Sequence, residues 1–181
     1  MRDRISSERV YDGRILNVDR ERIVNPDGNE LDLEIIRHPG AAAVVPVLTR
    51  LDAPDPTILL IKQYRYAAGG EIWEIPAGVL ESGEAPETCA RRELREETGG
   101  TTSNLRHLTT IFTTPGFTDE VIHLFLAMDI EFGSPNHQPD ESIELASMPM
   151  SQVLAMIKNG KMMDSKSISA LLYVSRFLIP T

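Results

Sequence analysis

Residues 78–100 read Gly78-Val79-Leu80-Glu81-Ser82-Gly83-Glu84-Ala85-Pro86-Glu87-Thr88-Cys89-Ala90-Arg91-Arg92-Glu93-Leu94-Arg95-Glu96-Glu97-Thr98-Gly99-Gly100, a loop running into a helix. Gly78 and Gly83 give the first part a flexible backbone with free carbonyl groups. Pro86 suits the first helical turn and Glu87 complements the positive N-terminus. Gly99-Gly100 supplies the stop, so a helix is expected over 86–98. On it Glu93, Glu96 and Glu97 stand at i, i+3 and i+4 and share one face. Like charges at this spacing destabilise a bare helix, so something cationic belongs over them. Two sources fit. Arg91, Arg92 and Arg95 would make this an ordinary solvated acidic face. A hard divalent cation such as Mg²⁺ would make it a metal site, because such ions take carboxylate oxygens. The alternating oxygen ligands of an EF-hand loop are absent.

Outward from this segment, residues 14–24 and 30–38 alternate Ile, Val and Leu with charges around the turn Asn25-Pro26-Asp27-Gly28-Asn29, which predicts a β-hairpin. Residues 41–48 and 57–64 form a second strand pair, and 73–75 a short strand. Further strands are expected at 105–113 and 120–128, and a polar loop at 133–142. Helices are expected at 151–159 and 165–177, the second capped by Asp164. No internal repeat is present. Mixed strands with interspersed helices predict an α+β fold, helices covering a mixed sheet, with a small β lobe in the first forty residues.

The chain has 181 residues, 41% apolar and 25% charged, which are globular values. A chain of this size buries roughly 70% of its unfolded surface. Eighteen Lys and Arg against 27 Asp and Glu leave a net charge of −9, which opposes binding to nucleic acid phosphates. A phosphate ligand would need a local basic cluster or a metal. Cys89 is the single cysteine, so no internal disulfide forms. The four histidines, His38, His107, His123 and His137, lack zinc-ligand spacing. The N-terminus has no apolar core of a signal peptide, and no apolar stretch approaches the ~20 residues of a membrane helix. A cytoplasmic protein with no membrane partner is expected.

Gly78, Glu84, Arg92, Glu93, Leu94, Glu96, Glu97 and Gly99 all match the box of the Nudix hydrolase family, G-x5-E-x7-R-E-U-x-E-E-x-G-U, where U is bulky and aliphatic. Gly100 departs from the final aliphatic position without removing a chemical group. Ile72 to Gly78 resembles the strand entering the box in the ADP-ribose pyrophosphatase branch. Gln63-Tyr64-Arg65-Tyr66 is similar too, and Thr114-Pro115-Gly116-Phe117-Thr118-Asp119-Glu120 resembles that branch's downstream signature. Arg37 to Ala41 and Asp164-Ser165-Lys166 also fit. The resemblance implies an α/β/α sandwich with a mixed sheet, made of an N-terminal β lobe (1–40) for dimerisation and a hydrolase domain (41–181). It implies Mg²⁺-dependent cleavage within the diphosphate of ADP-ribose or a related nucleoside diphosphate sugar, with Mn²⁺ able to substitute, by a homodimer. Nudix hydrolysis of GDP-mannose or a dinucleotide is the second implication, and a non-catalytic nucleotide sensor the third.

By the same resemblance Glu93 and Glu97, with Glu96 beside them, hold the metal together with a backbone carbonyl near Ala77. Arg92 orients the carboxylates. Glu84 is either an outer ligand or a plain helix-start residue. The general base is Glu141, on a late polar loop that can close over substrate, with Glu120 and Glu96 as alternatives. Arg65 is the candidate for the phosphates, since a guanidinium matches phosphate oxygens two at a time, unless it makes a surface ion pair. Arg37 and Glu74 are candidates for the nucleoside or terminal sugar, and Gly116 and Phe117 for substrate contact. Trp73 either stacks on a base or packs in the core, and Tyr11 is a candidate for stacking.

Overall fold

The computed structural model describes residues 3–13, 16–134 and 143–180. They fall into two compact units: Met1–Gly40 with Phe112–Val121, and Ala41–Ile111 with Ile122–Thr181. The stretch 112–121 groups with the N-terminal strands.

In the first unit, β1 (Arg4–Asp12), β2 (Asn17–Val24) and β3 (Glu30–Arg37) form an antiparallel sheet in that order. The β2–β3 hairpin pairs Val24 with Glu30 across the expected turn, where Asn25 Oδ1 accepts from the Asn29 N–H at 2.8 Å. The unanticipated strand is β1, and all nine of its residues are exposed.

The second unit contains β4 (Ala41–Pro46), β5 (Thr57–Arg65), β6 (Gly70–Glu74), β7 (Ala77–Val79), α1 (Pro86–Thr98), β8 (Gly100–Thr101), β9 (Asn104–Phe112), β10 (Val121–Met128), β11 (Glu131–Phe132), β12 (Ile143–Pro149), α2 (Met150–Lys158) and α3 (Ser165–Phe177). One sheet has the order β7-β4-β10-β9 and another β12-β5-β6, while β11 and β8 make a short ribbon. In the first, β4 and β10 run parallel, Ala43 opposite Leu124, and β4 pairs antiparallel with β7, Ala42 opposite Gly78.

Helices on both sides explain the uninterrupted apolar run of β4. Ala41, Ala43 and Val45 belong to the main core with Val153 and Met156 of α2 and Ala170, Leu171 and Val174 of α3. Their strand neighbours Ala42 and Val44 pack instead with Cys89, Ala90 and Leu94 of α1. Alternation along one strand thus divides the interior in two. Full burial of a side chain such as Leu94 contributes about 1.5–3 kcal/mol.

The expected pairing of 41–48 with 57–64 is corrected. The two strands lie in different sheets and meet only at their ends, by an isolated Val47–Ile58 bridge and the Leu48 N–H donating to Thr57 O. Local turn residues do not reveal that β4 finds a better partner in β10, far along the chain. The helix ends were legible. Gly99 terminates α1 in the left-handed conformation at φ 74°, and Asp164 caps α3 by accepting from the Ser167 N–H at 2.9 Å.

Candidate active site

A cavity of about 320 Å³ lies within the second unit, lined by Gln63 and Arg65 of β5, Ala77, Gly78 and Val79 of β7, Glu81 of the following loop, and Arg92, Glu93 and Glu97 of α1. Side chains on a strand alternate, so Gln63 and Arg65 share a face and enter together, while Tyr64 between them is exposed. Glu93 and Glu97 are one helical turn apart and both buried.

The carboxylates are held from beneath. The Ala77 N–H donates to Glu97 Oε2 at 3.0 Å. Glu93 lies so close over Gly78 that a Cβ there would stand 1.8 Å from its Oε1. Arg92 grips Glu84 with two parallel hydrogen bonds, Nε to Oε1 and Nη2 to Oε2, both 2.9 Å. The same guanidinium donates to Glu93 Oε1, to Val79 O at 3.1 Å and, at 3.4 Å, to Glu96. The hydrogen bonds from Arg92 draw the Glu84 carboxyl down to about 2, against the opposing effect of burial, and the Glu84 partnership likewise raises Arg92. Glu84 also accepts from the Glu81 N–H at 3.0 Å, which fixes the loop.

Across the cavity, Arg65 Nε donates to Glu74 Oε2 at 2.8 Å. The other Glu74 oxygen accepts from Lys166 Nζ of α3 at 2.6 Å, and Lys166 also pairs with its own helix cap, Asp164, at 3.0 Å. Glu74 is thus a buried carboxylate between two cations.

Among the described residues no group of three His, Cys, Asp or Glu side chains stands ready to hold an ion. Glu96 does not line the cavity; it lies on the more exposed side of α1, beside Arg92 and Arg95. The residues that do line it nevertheless suit a hard divalent cation. Their charged donors are carboxylate oxygens, three Glu face two Arg, and both arginines are already paired with carboxylates outside that lining, Glu74 and Glu84.

Trp73 packs against the main core with the Lys62 ammonium 6.0 Å from its ring centre. The remaining candidates belong to the first unit. Arg37 donates from Nε to Asp19 at 3.0 Å, from Nη1 to Asp119 at 2.9 Å, and from Nη2 to Glu21. Glu120 accepts from Thr113 Oγ1 at 2.8 Å and lies 3.5 Å from His38 Nε2. Tyr11 and Phe117 are exposed, and Phe117 O accepts from the Ile36 N–H at 2.8 Å. Gly116 lies on the same connection, in a separate hollow beside Arg20 and Arg22. Glu141 lies outside the described residues. Sequence reasoning assigned no role to Gln63, Glu81 or Lys166. The signal for Gln63 was its two-residue spacing from Arg65 on a strand.

Residues 38–171 match the family described as NUDIX domain, and residues 3–33 match the family described as nucleoside diphosphate sugar hydrolase N-terminal domain. Among curated proteins the chain is 35% identical over 172 residues to the ADP-ribose pyrophosphatase of Bacillus subtilis (strain 168), covering 94% of this chain and 90% of the relative. It has the same identity and coverage with a methanol dehydrogenase activator of Bacillus methanolicus. It is 35% identical over 158 residues to a GDP-mannose pyrophosphatase of Escherichia coli O1:K1 / APEC, covering 79% and 81%. A solved structure titled as that of an ADP compounds hydrolase superposes with a TM-score of 0.81 at 21% identity, over 97% of this chain and 92% of the other, and so shares the fold. No helix among the described residues is long and apolar enough to cross a membrane.

Proposed function

The chain belongs to the NUDIX domain family, and from that premise we propose that it hydrolyses the diphosphate bond of nucleoside diphosphate sugars, ADP-ribose foremost. The observation that carries the proposal is the single cavity in which Glu93 and Glu97 face Arg65. With ADP-ribose the reaction consumes one water and gives AMP and ribose 5-phosphate. Glu93 and Glu97 would hold Mg²⁺, or Mn²⁺ in its place, with Glu96 and a backbone carbonyl near Ala77 contributing. The cation supplies charge neutralisation and polarisation of the phosphoryl oxygens. Arg65 would contact the phosphates. Arg92 keeps Glu93 in place, and the Ala77 N–H does the same for Glu97. A proton acceptor is still needed for the attacking water. Glu141 is the proposed base, with Glu120 and Glu96 as alternatives. Arg37, Glu74, Trp73, Tyr11, Gly116 and Phe117 are proposed to shape the nucleoside and sugar pockets.

Hydrolysis of GDP-mannose is the second reading, favoured by the likeness to the GDP-mannose pyrophosphatase. Turnover of a panel of nucleoside diphosphate sugars with Mg²⁺, products identified by mass, separates the two. ADP-ribose should lead in kcat/KM, and EDTA should silence the reaction. A clear lead for GDP-mannose overturns the substrate assignment, and no turnover of any sugar nucleotide overturns the activity. We further propose a homodimer joined through the N-terminal lobe, because an edge strand with nine exposed residues invites a partner. Sedimentation of a fully active monomer would refute it.

A further inference from the structure

Glu81 is one of three glutamates that line the cavity, and unlike the buried Glu93 and Glu97 it is exposed. Its main chain is pinned. The Glu81 N–H donates to Glu84 Oε2 at 3.0 Å, and the Glu84 N–H donates to Glu81 O at 3.0 Å. The second bond closes a turn in which Gly83 takes the left-handed conformation at φ 77°. Arg92 in turn holds the Glu84 carboxylate through two hydrogen bonds of 2.9 Å. The root of Glu81 is thereby fixed to α1, and both of its main-chain groups are engaged. What this residue offers a ligand is its side chain, a carboxylate on the solvent side of the lining.

A carboxylate only accepts hydrogen bonds, and so do ionised diphosphate oxygens, so the two repel. In a nucleoside diphosphate sugar, the donors next to the diphosphate are the hydroxyl groups of the terminal sugar. Two carboxylate oxygens can accept from two neighbouring hydroxyls at once, and a charged acceptor makes each bond stronger than a neutral one. A substrate with hydroxyls at this place satisfies Glu81. One without them leaves two negative groups facing each other, and a site built to bond a hydroxyl rejects the analogue that lacks it. We propose that Glu81 is a specificity-determining residue for the terminal sugar, its carboxylate accepting hydrogen bonds from sugar hydroxyls. The inference rests on the functional reading above. It gives Glu81 a task separate from those that reading gives to Arg65, at the phosphates, and to Glu93 and Glu97, at the cation.

The test compares turnover of ADP-ribose with that of the terminal methyl ester of ADP, in the presence of Mg²⁺. The two share base, diphosphate and charge, and only the first carries hydroxyls beyond the diphosphate. If GDP-mannose proves the better substrate, it and the methyl ester of GDP form the pair. Glu81→Ala should lower kcat/KM for the sugar nucleotide roughly tenfold or more, the scale of a hydrogen bond to a charged group, chiefly through KM. Turnover of the methyl ester should stay level or rise. A loss in folded Glu81→Ala that is no larger for the sugar nucleotide than for the ester overturns the inference. So does weaker binding of Mn²⁺ alone, read by electron paramagnetic resonance of the free ion, which would put Glu81 on the cation. Glu81→Gln keeps one acceptor oxygen and should lose only part of the preference. An equal loss on both substrates there overturns the inference even if Glu81→Ala does not fold. If wild type hydrolyses no sugar nucleotide, the proposed function fails and the role of Glu81 with it. If wild type turns over the sugar nucleotide and the variants keep its preference over the ester, the role of Glu81 fails alone.

Discussion

Replacing Glu97 with Gln removes one negative charge yet keeps an oxygen that can accept the Ala77 N–H. The fold should survive, and relief of repulsion with Glu93 should leave the melting temperature equal or higher. Mg²⁺-dependent turnover should fall roughly 100-fold or more, the scale of losing charge stabilisation at a reacting phosphoryl group. A variant that turns over like wild type would remove Glu97 from the site. Gly78→Ala makes the complementary test. Its Cβ would stand 1.8 Å from Glu93 Oε1, so the carboxylate must leave its place. Such overpacking costs about 1–3 kcal/mol, readable by urea denaturation, and activity should drop at least tenfold, the usual price of a misplaced catalytic group. The spacing of Glu93, Glu96 and Glu97 was legible because a helix turns 3.6 residues in every context. That Glu96 falls outside the cavity lining was not legible, because this depends on what packs against the helix.

At the scale of elements, the helices announced themselves because their ends are written locally, by Pro86 and Gly99 on α1 and by Asp164 on α3. Asp164 does more than cap. Ser167 Oγ donates to Asp164 Oδ2 and accepts the Ile75 N–H at 2.8 Å, so the cap, the first turn of α3 and the strand end beside Pro76 form one chain of hydrogen bonds. Asp164→Ala should therefore exceed the ~1 kcal/mol typical of a lost cap and reach about 2 kcal/mol, because the buried Ser167 hydroxyl loses its acceptor. Chemical denaturation measures it, and a cost below the simple cap value would show that the relay adds nothing. Strands were harder to read. Nothing apolar alternates in β1 strongly enough to mark a buried face, and the structure leaves it exposed. Which sheet β4 joins depends on β10, some eighty residues away, and no local residue encodes that choice.

At the scale of the whole molecule, each of the two units carries carboxylates that folding lowers, Glu84 among them in the second. In the first, hydrogen bonds from Arg9 and Arg37 lower the Asp19 carboxyl. Burial pushes Glu21 upward, but hydrogen bonds from Arg4 and Arg37 outweigh it, and its net displacement is also downward. Carboxylates lowered by folding contribute stability that is complete above their ordinary values of 3.8 and 4.5 and is lost as pH falls through the lowered ones. The stability gap between wild type and Arg37→Met should thus be full at pH 6 and close progressively below about 4, as read by urea denaturation at several pH values. A gap that does not narrow would show that Arg37 acts by packing alone. The second unit has its own long-range tie, the Glu74 carboxylate shared by Arg65 from β5 and Lys166 from α3. That tie bears on how chains of this family can be recombined. A chimera taking residues 57–74 from one parent and the C-terminal helices from another inherits a three-membered partnership from two lineages. It keeps the set only if the second parent also brings lysine at position 166. Crossovers that respect secondary-structure boundaries can still sever it, so the natural breeding unit runs from β5 through α3.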